Sequence, residues 1–190
     1  TLDGLLARPE FQPAAHPAGL YLVFLDGLRL DLGELLTAEL QARGGWRLGA
    51  QGVLWAYPPP VTEVQLGFLR AAGFSGRITL ATEVALPDLP YFRSTRAWPA
   101  PELLRFNFID EKVHSSPSPY LTFLAEISVA AERELYPFLA ALPERAGLVI
   151  FGDHGYLQGY QEKEHASAYL HGQGLPADTL VPWYFLERRS

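Results

Sequence analysis

Ala146-Gly147-Leu148-Val149-Ile150-Phe151-Gly152-Asp153-His154-Gly155 decides how the chain is read. Its apolar half is short and bounded by glycines, the pattern of a buried strand that runs into a tight turn. An aspartate and a histidine stand side by side at the end of that strand. Together they offer a carboxylate oxygen and an imidazole nitrogen to one metal ion. Open α/β sheets collect their chemistry at the carboxyl ends of strands, so a site is expected at Asp153-His154.

Segments of the same kind lie on either side in the sequence. Gly19 to Leu25 is an apolar run of parallel-sheet type that ends at Asp26-Gly27. From Leu28 to about Arg43, Leu30, Leu32, Leu35, Leu36 and Leu40 recur at helical spacing, and Gly44-Gly45 stop the helix. Gln51 to Tyr57 reads as a second strand, and Pro58-Pro59-Pro60 force an extended exit from it. Thr62 opens a helix to about Ala72. The stretch 74–101 is rich in turn residues, with a short strand near Arg77 to Leu80. Leu103 to Ile109 reads as a strand ending at Asp110, and the longest helix runs from about Ser118 to Leu142, with Pro137 bending its last turns. Gln158 to Gly174 reads as a polar loop. Leu180 to Leu186 is a last strand, which Pro182 places at a sheet edge or at its own start. The alternation predicts one domain over 1–190, with a mostly parallel sheet and helices on both faces.

The chain has 190 residues, 48% of them hydrophobic and 19% charged, enough to build a single well-formed core. A net charge of −6 with no basic run argues against a broad phosphate-binding face for nucleic acid. No stretch approaches the ~20 apolar residues of a membrane span. The absence of cysteine excludes disulfides and thiolate metal sites and fits the cytoplasm. The absence of methionine, even at position 1, reads as an excerpt of a longer product.

Three apolar runs end in an acid, at Asp26, Asp110 and Asp153, and in a parallel sheet all three emerge on one edge. Carboxylates so grouped repel one another unless cations neutralise them. Asp110 and His114 have the i, i+4 spacing that places two ligands on one face of a helical turn. His154 adjoins Asp153, and His171 lies in a glycine-rich segment able to fold back over the site. This mixture of oxygen and nitrogen donors suits zinc, with manganese second. Thr62, at a helix start beside free amides and the positive end of the helix dipole, is placed either to cap that helix or to act as a nucleophile on a phosphoryl group. Arg29 is placed either to contact phosphate or to pair with Asp31 or Glu34. Asp31 and Asp88 read as turn or cap residues, and His16 and His165 as solvated loop residues.

The order of these motifs resembles the alkaline phosphatase superfamily, and most closely its PglZ-domain branch. The matching pieces are Phe24-Leu-Asp26-Gly-Leu-Arg29, Pro60-Val-Thr62 with Leu66 to Gly73, Asn107-Phe-Ile-Asp110-x3-His114, Gly152-Asp153-His154-Gly155, His171-Gly172 and Leu180-Val-Pro182. They span about residues 19–186, nearly the whole chain. The resemblance implies a three-layer α/β/α sandwich and two neighbouring divalent metal ions. One would be held by Asp110, His114 and His171, the other by Asp26, Thr62, Asp153 and His154. It implies metal-dependent phosphodiesterase or phosphatase activity with Thr62 as nucleophile and Arg29 as a substrate contact. The substrate expected is a phosphate ester such as a nucleotide or oligonucleotide. The resemblance carries an alternative, a non-catalytic or partner-dependent module working with protein partners in an anti-phage defence complex. Sulfatase chemistry is disfavoured, because there is no cysteine and Thr62 is followed by Glu63-Val64. A magnesium-binding, flavodoxin-like module is a weaker alternative, since it leaves His114, His154 and His171 unexplained.

Overall fold

β1 (Leu20–Leu25) and β5 (Gly147–Phe151) are buried at every position, as apolar strands covered on both faces must be. They pair in parallel, with Leu20 opposite Gly147 and Phe24 opposite Phe151. On the other side of β1 lies β4 (Leu103–Phe106), also parallel, and β3 (Ile78–Leu80) follows beyond it. Next to β5 runs β8 (Leu180–Arg188), antiparallel to it, and β2 (Trp46–Trp55) is antiparallel to β8. The order is β2-β8-β5-β1-β4-β3, an open six-stranded sheet in a mixed α/β fold. The structure is a computed structural model and describes residues 8, 16, 18–71, 78–81, 103–159 and 169–190. Asp88, His165 and most of the turn-rich stretch 74–101 lie outside the described residues, as do 160–168.

Alternate residues of β1 serve opposite faces, as the strand period requires. Tyr21, Val23 and Leu25 join Leu32, Leu36 and Leu40 of α1 (Leu30–Ala42), Val113 of α3 (Phe108–Ser115), and Phe123, Ile127, Leu135 and Leu139 of α4 (Tyr120–Ala141). Leu20, Leu22 and Phe24 join Leu66 and Leu69 of α2 (Thr62–Ala71). Gly44 and Gly45 end α1 at φ +79° and +81°, a left-handed conformation that costs glycine little.

The structure corrects several expectations. The sheet is mixed, with three parallel pairings and two antiparallel ones, because β8 is reversed. It is entered from a small antiparallel pair, β6 (Leu157–Gln158) with β7 (Tyr169–Leu170), inside the segment read as loop. Tyr169 anchors that pair, packing on Phe123 at 4.1 Å and donating to the Ser118 carbonyl at 2.9 Å. β8 therefore starts on the edge where β5 ends, and a parallel course would need a crossover to the far edge. Pro182 is interior to the sheet, between β2 and β5. Its carbonyl accepts from the Gly152 N–H, just past the last residue of β5, so its missing donor falls where the β5 ladder has already finished. β2 begins earlier than read, at Trp46. The strand at Leu103 stops at Phe106, so Asp110 stands in the first turn of α3 and not at a strand end. His16 is 8% exposed, its ring 5.2 Å from Phe185 rather than in solvent.

The turns that follow β1 and β5 touch at Gly152. A Cβ there would come 2.7 Å from Leu28 Cβ and 3.0 Å from the Leu28 carbonyl oxygen. Gly152→Ala is expected to lower the unfolding free energy by about 1–3 kcal/mol, the usual cost of overpacking. A shifted urea midpoint at unchanged slope checks this, and an unchanged midpoint shows that the contact yields.

Candidate functional site

Three parallel strands in the middle of the sheet end together, and β1 lies between the other two. Asp26 follows β1, Asp110 and His114 ride on α3 just past β4, and Asp153-His154 follow β5. Because β8 runs the opposite way, its start lies on this edge and delivers the segment from His171 to Thr179. β2 ends at the same edge, with Trp55 opposite Leu180, and leads through the prolines to Thr62.

Asp26 is fully buried. Its Oδ1 accepts a hydrogen bond from Thr62 Oγ1 at 3.0 Å and lies 3.2 Å from His154 Nε2. Its Oδ2 accepts from Arg105, through Nε at 3.0 Å and through Nη2. Burial raises the Asp26 carboxyl, but the His154 contact and the Arg105 charge outweigh it, and the carboxyl lies below the usual range. Asp153 is also fully buried. Its Oδ1 accepts from the Gly27 and His154 amides at 3.2 and 2.9 Å. Burial pushes it up to about 6; the His154 charge opposes that shift and the Asp26 charge adds to it.

His154 Nδ1 lies 3.0 Å from the Gly155 carbonyl oxygen, which can only accept, so the proton sits on Nδ1. Nε2 then points among three carboxyl oxygens: Asp26 Oδ1 at 3.2 Å, Asp153 Oδ2 at 3.6 Å and Asp110 Oδ1 at 4.0 Å. Burial lowers the His154 imidazole, but the Asp153 charge and the Asp26 carboxyl outweigh it and raise it to about 9. Asp110 Oδ1 is 3.4 Å from His114 Nε2 and 3.5 Å from His171 Nε2, and the two imidazole nitrogens are 3.0 Å apart. Burial and the nearby Asp26 charge raise the Asp110 carboxyl; burial and the His154 charge lower the His171 imidazole.

Asp26, Thr62, Asp110, His114, Asp153, His154 and His171 thus form one connected cluster. His154 belongs to both donor sets within it, the set Asp110, His154, His171 and the set Asp26, Asp153, His154. The division the resemblance implies gave it to one set alone. The residues fit a divalent cation on a specific ground. Asp110 Oδ1, Asp153 Oδ2 and His154 Nε2 are buried and lack a well-formed hydrogen bond among the described residues; His154 Nε2 lies within 4.0 Å of the other two atoms, with Asp26 Oδ1 its nearest oxygen at 3.2 Å. Buried polar atoms are nearly always satisfied, and cations in the two donor sets, Asp110 in one, Asp153 in the other and His154 in both, would satisfy them.

Thr62 is the first residue of α2, and its hydroxyl goes to Asp26. The cap position belongs to Val61, whose carbonyl accepts from the Val64 and Gln65 amides. Gln65, 1% exposed, holds the polyproline turn in front of Thr62. Its side chain accepts from the Tyr57 amide at 2.9 Å and donates to the Tyr57 carbonyl at 2.7 Å. Arg29 grips Asp31 with Nε at 2.7 Å and Nη2 at 2.6 Å, donates from Nη1 to the Tyr156 carbonyl, and lies over the Tyr120 and Tyr156 rings.

Sequence reasoning missed Arg105 and Asp178. The signal for Arg105 was present, a lone cation in the apolar run Leu103-Leu104-Arg105-Phe106. Asp178 is fully buried. Its Oδ2 accepts from the Gln173 and Gly174 amides, and its backbone carbonyl accepts from the Gly155 amide. One residue thereby fastens the His171 segment to the turn bearing Asp153-His154. A search against protein-family models finds no match for the chain, and none of the curated proteins matches it.

Asp178→Ala is expected to cost about 1–3 kcal/mol of stability, the penalty for leaving buried donors unpaired. Asp178→Asn, which keeps an acceptor, recovers most of it; equal losses in urea unfolding refute the account. The metal-free protein also has a defined pH response. His154 holds its proton more tightly folded than unfolded, so its contribution is complete below about 6.5 and lost as pH rises through about 9. Asp153, also raised, loses its contribution lower, between about 3.8 and about 6. The melting temperature of chelator-treated protein therefore falls from pH 6 to 9, and His154→Gln flattens that slope.

Proposed function

We propose that the chain is a metal-dependent phosphoric ester hydrolase, with Thr62 as nucleophile, built as the alkaline-phosphatase-like α/β/α sandwich that its motif order resembles. The observation that supports this best is the convergence of unsatisfied Asp110, Asp153 and His154 atoms beside a hydroxyl held on Asp26. Structural ion-pair networks also bury carboxyl and imidazole groups, but they satisfy them.

Asp26, Asp153 and His154 would hold one divalent ion, zinc or manganese, next to Thr62, and Asp110, His114 and His171 a second. Such ions supply positive charge that stabilises attacking and leaving oxygens in phosphoryl transfer. The residues themselves orient and move protons. Asp26 Oδ1, the acceptor of the Thr62 hydroxyl proton, aims the hydroxyl oxygen, and a neighbouring ion would favour loss of that proton. The oxygen attacks phosphorus, the bond from phosphorus to the leaving-group oxygen breaks, and the proton ends on the released alcohol. Water then cleaves the phosphothreonine and restores the hydroxyl, giving phosphate or a phosphomonoester. His154 is fixed by the Nδ1 bond to the Gly155 carbonyl, and with an ion bound its Nε2 would give up its proton and serve as the ligand.

The test is metal content together with hydrolysis of p-nitrophenyl phosphate and bis-p-nitrophenyl phosphate in zinc or manganese. The wild type is expected to hold both ions and to turn over at least one ester. Thr62→Ala should keep the metal and lose about 10³-fold or more in kcat, as removal of a nucleophile does. A protein that binds both ions but hydrolyses neither ester nor any of a nucleotide panel sinks the hydrolase reading and favours a partner-dependent module.

A further inference from the structure

We infer that Arg105, and not Arg29, is the residue that binds the phosphoryl group of the substrate, by its guanidinium edge beside Thr62. This rests on the hydrolase reading and adds its anion-recognition element. Arg105 sits in β4 between Leu104 and Phe106, which are 1% and 2% exposed, in a strand otherwise devoted to the core. A charged side chain there is retained only with a partner. Its partner is Asp26 Oδ2, reached by Nε and Nη2. The other oxygen of that carboxylate carries Thr62 Oγ1. One carboxylate therefore holds the attacking hydroxyl and the guanidinium next to each other.

The fork is only half used. Nη1 of Arg105 makes no hydrogen bond among the described residues, and the side chain is 24% exposed. A guanidinium with one edge fixed by a carboxylate presents its remaining N–H groups in a set direction, which favours planar recognition of a phosphoryl oxygen. Arg29 has less to spare, since all three of its nitrogens already donate. Its Nε and Nη2 are taken by Asp31 and its Nη1 by the Tyr156 carbonyl, and two aromatic rings flank it. The ligand class implied is a phosphate ester with at least one terminal anionic oxygen pointing toward β4.

Wild type, Arg105→Gln, Arg105→Lys and Arg29→Gln are compared in two measurements. The first is metal uptake without any anion. The second is the Kd for inorganic phosphate on metal-loaded protein, by calorimetry. All four proteins are expected to take up metal. Arg105→Gln should weaken phosphate binding about 10- to 100-fold, the span of one charged hydrogen bond. Arg105→Lys should recover only part of that, since it keeps the charge but not the fork. Arg29→Gln should stay within about threefold, as expected for loss of a partly exposed ion pair. If Arg105→Gln binds phosphate like the wild type, Arg105 is only a counter-ion for Asp26 and the inference is overturned. If the wild type takes up no metal, the hydrolase reading falls in the first measurement and this inference with it.

Discussion

Two carboxyl groups, Asp26 and Asp153, are buried without exposure at the ends of adjacent parallel strands, and the surrounding structure is arranged to tolerate them. Desolvating a carboxylate costs several kcal/mol unless partners replace water. The partners come from every side. α2 supplies the Thr62 hydroxyl, β4 the Arg105 guanidinium, and the turn after β1 the Gly27 amide. His154 lies between the two acids and is itself the neighbour of a third, Asp110. Removing any of these partners would leave a buried carboxyl group less well compensated for its lost hydration, so the site and the local fold are one problem.

The reversed strand β8 solves the access side of that problem. An all-parallel sheet delivers strand ends to the site edge and strand starts away from it. With β8 reversed, the segment leading into it arrives at the acids, carrying His171 and the buried Asp178. Asp178 then ties that segment to the Gly155 amide in the opposing turn. Gly155 leaves room for this: a Cβ there would sit 2.2 Å from the Ala177 carbonyl oxygen. Backbone passes this close only where a residue has no side chain.

Much of this was legible in the sequence, for definite reasons. β1 and β5 were readable because strands buried on both faces leave continuous apolar runs. Asp110 and His114 were readable as a helical pair because i, i+4 spacing survives a wrong strand boundary: the helix begins two residues before Asp110 instead of after it. The direction of β8 was not legible, since strand polarity depends on which edge the preceding segment reaches, and no local pattern encodes that. Pro182 misled for the same reason, because its harmlessness depends on where β5 stops. Arg105 was visible as an oddity but not as a site residue. Its meaning came only from the parallel register that sets it opposite Phe24, two residues before Asp26.

The choice between a structural and a chemical reading of the cluster turns on what is left over. A polar core kept for fold specificity should close on itself, every donor meeting an acceptor. Asp26 nearly meets that standard, with Thr62 and Arg105 both hydrogen-bonded to it. Asp153 and His154 do not. Each spends one atom on a backbone partner, Asp153 Oδ1 on two amides and His154 Nδ1 on a carbonyl, and leaves its other atom without a well-formed hydrogen bond, the two 3.6 Å apart. Backbone bonds of this kind fix the orientation of a ligand while sparing its donor atom. Burial alone would have favoured protonated or apolar residues at these positions. Side chains held firmly on one side and left unsatisfied on the other are what the proposed cation-binding centre would require, and the hydrophobic packing on both faces of β1 supplies rigidity at that edge.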